Sequence, residues 1–152
     1  MTDRVEIFVD GSNFYNGLKQ QFGDGRCDFE KLVARIITDR QLVCFNYYTG
    51  TVHPGHHAKE HSRQQAFLAG LKRLPFAVNV YTRPLQYISA QPASPPKEKG
   101  IDARIVQDLI MGALNRRFDV AILLSGDQDF RDVVQLVASR FTVKMETYYP
   151  TS

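Results

Sequence analysis

The stretch Val5-Glu6-Ile7-Phe8-Val9-Asp10-Gly11-Ser12-Asn13 decides the fold. Residues 5–9 form a near-continuous apolar run, the pattern of a strand covered on both faces by helices in a parallel sheet. The run stops at Asp10-Gly11-Ser12-Asn13, a turn-forming cluster, and a helix is expected over residues 14–21, stopped by Phe22-Gly23-Asp24-Gly25.

Outward from this unit, short apolar runs alternate with helical stripes, so the chain reads as an α/β protein with a parallel sheet. Asp28 can cap a helix on which Phe29, Leu32, Val33, Ile36 and Ile37 follow i, i+3, i+4, i+7, i+8 spacing. Residues 42–48 read as a second strand. Residues 57–74 read as a helix with Phe67, Leu68 and Leu71 inward and Pro75 ending it. Strands are expected at 77–82, 120–124 and 142–148, and helices at 102–115 and 129–139. The span 83–99, rich in Pro, Ala and Ser over 91–96, is the longest irregular stretch, and long connections in compact domains are usually functional or mobile.

A chain of 152 residues with 43% hydrophobic content is enough for one buried core, so residues 1–152 are expected to form a single domain. The polar start, Met1 to Arg4, does not resemble a signal peptide, and no stretch approaches the roughly 20 apolar residues of a membrane span. The expectation is a soluble, cytoplasmic protein, in which Cys27 and Cys44 remain unpaired thiols. The sequence does not fix the oligomeric state.

In an open parallel sheet, ligands bind at the carboxyl ends of the strands, where the strand order reverses. Asp10 ends the first strand, and Asp127 and Asp129 follow the fourth. Right-handed crossovers start each helix at that same edge, which brings Asp102 there too. Clustered carboxylates repel one another, and the repulsion raises their pKa values unless a cation neutralises them. Hard oxygen donors without His or Cys point to Mg²⁺ or Mn²⁺ in preference to Zn²⁺, and such an ion suits attack of water on a phosphodiester. Taken singly, each aspartate also has a structural role open to it: Asp102 and Asp129 as helix caps, and Asp10 as a partner for turn amides. If four of the 16 acidic residues share one site, 19 basic residues face 12 acidic ones elsewhere, a balance that suits a polyanion.

Val9-Asp10-Gly11-Ser12-Asn13-Phe14-Tyr15, Glu98-Lys99-Gly100-Ile101-Asp102 and Leu124-Ser125-Gly126-Asp127-Gln128-Asp129-Phe130 resemble the NYN domain of the LabA-like group, within the PIN-like nucleases. The resemblance spans nearly the whole chain and includes Arg63-Gln64-Gln65 followed by Phe67-Leu68. It implies a three-layer α/β/α domain with a mainly parallel sheet of about five strands, acting as a Mg²⁺- or Mn²⁺-dependent ribonuclease. Asp10, Asp102 and Asp127 would be metal-site carboxylates, with Asp129 completing or supporting the cluster. Asn13 and Ser125 would line the site, and Lys99 and Arg63 would help hold the nucleic acid. Asp108, about 240° around the helix from Asp102, is left outside the site. One departure is Ser139-Arg140-Phe141, where the family often has a glycine turn. Some family members are suspected of binding without cutting, so an RNA-binding or regulatory module that keeps the metal site is the alternative.

Competing patterns are weaker. His57-Ala58-Lys59-Glu60-His61 matches the H-x-x-E-H form of inverted zinc peptidases, with His53 and His56 close by, but no further acidic ligand helix is evident. A solvated rim suits these histidines better. The first strand lacks a following G-x-G-x-x-G, and Ser12 stands where an aspartyl-phosphate enzyme needs a second Asp. Tyr15, Tyr47 and Tyr48 could stack on unpaired bases, although strand alternation buries one of the adjacent pair without any ligand.

Overall fold

The computed structural model describes residues 2–87 and 95–151. Five strands, β1 (Arg4–Asp10), β2 (Gln41–Thr51), β3 (Val78–Pro84), β4 (Val120–Leu124) and β5 (Lys144–Tyr148), form one sheet in the order β3-β2-β1-β4-β5. Every pairing is parallel. The order reverses between β1 and β4, so Asp10 and the segment after Leu124 open onto the crevice at the switch point.

Helices α1 (Gly11–Phe22), α2 (Phe29–Ile37) and α3 (Ala58–Leu71) cover one face; α4 (Ile101–Leu114) and α5 (Arg131–Arg140) cover the other. The first core joins Val5, Ile7 and Val9 to Phe14, Phe29, Val33 and Leu68, and the second joins Phe8 and Leu123 to Ile105, Leu109 and Phe130. This is the expected three-layer α/β/α arrangement. Burial on both faces explains why residues 5–9 of β1 read as a near-continuous apolar run, broken only by Glu6. It also corrects the expectation for Tyr47 and Tyr48: both are buried, because alternation only sends the second ring into the other core. Cys27 and Cys44 are free thiols. Among the described residues, no helix is long and apolar enough to cross a membrane.

Several boundaries move, some for a local reason and some through a contact with a distant segment. Helix α1 begins three residues early, directly after Asp10, and its first residue, Gly11, lies so close to Tyr47 that a Cβ there would come within 2.6 Å of the ring. Asp28 caps α2 as expected, accepting from the Lys31 amide at 3.1 Å. Helix α3 ends at Leu71, ahead of Pro75, and finishes in the tighter bonds Arg73 N–H to Gly70 and Leu74 N–H to Leu71. Leu68 and Leu71 are buried, whereas Phe67 is 41% exposed and covers Tyr47 and Phe29 from the rim. Strand β2 continues to Thr51 because β3 pairs with it as far as Pro84.

The expected irregular span is narrower than 83–99, since Gln86 and Lys97 bridge and tie its ends together. Residues 88–94 of that span lie outside the described residues. The last expected helix splits into a 3-10 turn (Gln128–Phe130) and α5. After α5, Phe141 is extended (φ −122°), so the turn lacking glycine needs no left-handed residue.

Candidate metal centre

Asp10, Asp102 and Asp127 come together although 92 and 25 positions separate them along the chain. Each offers a carboxylate oxygen, and the three atoms lie within 4.8 Å of one another. Strand β1 delivers Asp10, the turn after β4 delivers Asp127, and the first turn of α4 delivers Asp102. Asp102 is not a cap: Gly100 is the N-cap of α4, and Asp102 makes no capping hydrogen bond. Gly100 is left-handed (φ 83°), and a Cβ on it would meet the Arg83 guanidinium at 3.1 Å, so the chain enters α4 through a position suited to glycine.

The electrostatics are unbalanced. Asp10 is 3% exposed, and burial first, then the neighbouring charges of Asp102, Glu98 and Asp127, push its carboxyl up to about 7 against a hydrogen bond from Ser125. Burial, Asp127, Glu98 and Asp129 raise Asp102 in the same direction. No ion pair among the described residues joins a basic side chain to Asp10, Asp102 or Asp127. A divalent cation would supply the charge this arrangement lacks, and three carboxylates are hard oxygen donors of the kind that can hold one.

Asn13 and Ser125 tie the site together. The Ser125 hydroxyl lies 3.2 Å from Asp10 Oδ2 and 3.3 Å from Asn13 Oδ1, and it accepts from the Asp127 amide at 3.1 Å. Asn13 Oδ1 also accepts from the Gly126 amide at 2.9 Å, holding the start of α1 to the turn after β4. Asp127 has a second task, because its Oδ1 accepts from the Asp129 amide at 2.9 Å and so caps the 3-10 turn. Asp129 itself is exposed and stands outside the three-carboxylate group, acting on it through its charge.

Glu98 is a component that sequence reasoning passed over. Its Oε2 accepts from the Ser12 hydroxyl at 2.6 Å and from the Gly50 amide at 3.0 Å, which fixes the carboxylate beside Asp10 and Asp102. Gln64 braces the same corner, accepting from the Val52 amide and donating to the Gly50 carbonyl. The one available signal was the position of Glu98 four residues before Asp102 in the Glu98-Lys99-Gly100-Ile101-Asp102 segment.

Lys99 and Arg63 are exposed, and no described ion pair links either to the aspartates. Asp108 is held by the Tyr48 hydroxyl at 2.7 Å and by Arg104 at 2.9 Å, a packing role under α4. The histidines form no metal group among the described residues: His57 precedes α3 as its N-cap, His61 bonds the Val52 carbonyl, and His56 stacks on Tyr87.

Comparison with solved structures finds a protein of unknown function, VPA0982, from Vibrio parahaemolyticus, 23% identical, with a TM-score of 0.74 over 97% of this chain and 82% of that one. That likeness supports the fold. The D15 protein of T5, co-crystallised with metal ions, matches at 14% identity and a TM-score of 0.46, over 96% of this chain and 54% of that one. No curated protein matches the chain. The NYN domain model matches residues 4–150, from the first strand to just beyond the last and across all three segments that build the carboxylate group, and the chain therefore belongs to the NYN domain family.

Proposed function

We propose that this chain is a cytoplasmic, divalent-metal-dependent ribonuclease of the LabA-like NYN group that hydrolyses RNA phosphodiester bonds at Asp10, Asp102, Asp127 and Asp129. The observation that carries this reading is the convergence of three carboxylates within 4.8 Å at the switch point, one of them buried and without a cationic partner among the described residues. Asp10, Asp102 and Asp127 would hold Mg²⁺ or Mn²⁺, and Asp129 adds negative charge at the exposed side. When bound, such an ion activates water and offsets charge on the phosphate oxygens.

The chain's own residues do the positioning. Ser125 and Asn13 hold Asp10 and the Asp127 turn in one frame, which limits the reorganisation needed on binding. Glu98, locked by Ser12 and Gly50, keeps the segment leading to Asp102 against the end of β2. The neighbouring carboxylates that help to raise Asp10 also favour a cation there, since a nearby positive charge restores the ionised form.

The direct test is cleavage of end-labelled single-stranded RNA, with matched DNA in parallel, in Mn²⁺ against EDTA. Metal-dependent cutting of RNA is expected. RNA binding with no cutting in Mn²⁺ would favour the binding-module reading. A second expectation concerns Lys99 and Arg63, both exposed basic residues in the family-like segments. Changing each to Ala should weaken RNA binding and lower the slope of log affinity against log salt by roughly 0.7 for each single-strand phosphate that the variant no longer neutralises. An unchanged affinity across a salt series takes them out of the substrate path.

A further inference from the structure

The turn that carries Asp127 is held by two groups from distant parts of the chain. Asn13 of α1 accepts from the Gly126 amide at 2.9 Å. Tyr149, the first residue after β5, supplies the other contact. A Cβ added at Gly126 would come within 2.7 Å of the Tyr149 ring, and so would one at Gly17, which lies one helical turn beyond Asn13 on the same side of α1. Ring atom Cε2 is among the nearest to both positions, so the ring is seated between α1 and the turn. Neither Gly17 nor Gly126 has a left-handed backbone; what glycine provides at both places is room for the ring.

The turn needs such a support. Sheet pairing between β4 and β5 stops at Leu124 and Tyr148, so the ladder does not fix the residues that follow. Ser125, Gly126 and Asp127 also line, with Tyr149, a cleft of about 570 Å³ between the ends of β4 and β5 and the start of α5, which leaves the turn open space on that side. The ring is 37% exposed and belongs to neither hydrophobic core, so its contacts serve the turn and α1 more than the packing of the sheet. We propose that Tyr149 is a positioning residue for the metal centre, its ring keeping the turn where the Asp127 carboxylate meets those of Asp10 and Asp102. The inference rests on the metal-centre reading for its purpose, but the hold on the turn can be measured without any metal.

The test compares the whole chain with Tyr149→Ala, Tyr149→Phe, Gly126→Ala and the double variant Gly126→Ala, Tyr149→Ala. In EDTA, Tyr149→Ala should speed hydrogen exchange of the Gly126 and Asp127 amides by about tenfold, while the amides of Ile7 and Ile122 in the central strands keep parental protection. Mg²⁺ affinity, read by calorimetry at pH 8, should fall about tenfold in Tyr149→Ala, the lower end of what groups supporting metal ligands contribute, and return in Tyr149→Phe, which keeps the ring. Gly126→Ala should weaken Mg²⁺ binding by its clash with the ring, and should weaken it less once Tyr149→Ala has removed that ring. A ring that only adds stability would lower protection across the sheet and leave Mg²⁺ affinity alone. That pattern, parental exchange at Gly126, or no recovery with Phe would overturn the proposal. Exchange at Gly126 that depends on the ring, in a chain that binds no Mg²⁺, supports the hold on the turn and counts against the metal-centre reading alone. Mg²⁺ binding that is equally tight in the parent and in Tyr149→Ala does the reverse.

Discussion

Asp127→Asn is expected to lower Mn²⁺-dependent RNA cleavage by on the order of 10²- to 10³-fold, the scale seen when one electrostatic contributor to a transition state is removed. In EDTA the same variant should be at least as stable as the parent. Both expectations come from the two tasks of this side chain. As a cap, Asp127 accepts from the Asp129 amide, and Asn caps about as well as Asp, so the 3-10 turn survives. As a member of the carboxylate group it raises Asp10 and Asp102, so deleting its charge relieves repulsion in the metal-free fold. Asp127→Ala separates the tasks, since it also removes the cap and should cost about 0.5–2 kcal/mol. Melting curves in EDTA and in Mn²⁺, read beside cleavage rates, test this. An Asn variant that melts lower in EDTA yet still cuts RNA would leave Asp127 as a cap and nothing more.

The second large effect is on pH dependence. In the folded chain Asp10 keeps its proton up to about 7, whereas its ordinary value is 3.8. Between those values the folded state binds more protons than the unfolded state, so the metal-free protein loses stability as pH rises through that window. Above about pH 7 the full penalty applies, at most roughly 4 kcal/mol for a shift of this size. Asp10→Asn should therefore flatten the stability profile between about pH 4 and 7. Carboxylates paired with arginine, such as Asp119 with Arg4 and Glu146 with Arg40, are lowered and act with the opposite sign at more acidic pH. The difference between parent and variant reports Asp10 together with its coupling to Asp102, Glu98 and Asp127.

Cation binding should reverse the trend. Affinity rises with pH as the proton leaves Asp10, and a cation at a hundred times its dissociation constant stabilises the fold by about 2.7 kcal/mol. Urea melts at about pH 5 and pH 8, with and without Mg²⁺, measure all of this. A parent that is equally stable at both pH values in EDTA, with no greater metal response at pH 8, would contradict the assignment of Asp10 as a buried carboxylate awaiting a cation.

Local spacing made most of the architecture legible. A near-continuous apolar run such as residues 5–9 is compatible with burial on two faces, the spacing of Phe29, Val33, Ile36 and Ile37 defines one helical stripe, and Asp28 announces that helix by its cap. These signals are properties of neighbouring residues, so the chain carries them without reference to its partners. They also allowed Asp10 and Asp127 to be placed at strand ends. Boundaries were read less well where a distant contact set them. Gly11 opens α1 pressed against Tyr47, where a side chain would not fit, and β2 continues to Thr51 because β3 pairs with it from Phe45 to Thr51.

Glu98 marks the limit of sequence reading most clearly. Its carboxylate is held by Ser12, 86 positions away, and by the Gly50 amide, and no periodicity connects those residues. The same holds for Asp127: its spacing shows a residue after a strand, but the meeting with Asp10 and Asp102 depends on β1 and β4 becoming neighbours. The sequence by itself determined the α/β alternation, the helix faces and the set of acidic residues available for a site, because these follow from short-range period and residue chemistry. Only the tertiary structure decided which carboxylates share a centre, that Asp129 stands beside it, and that a cleft opens on the far side of Asp127, because those relations depend on strand order and helix crossovers joining segments far apart in the chain.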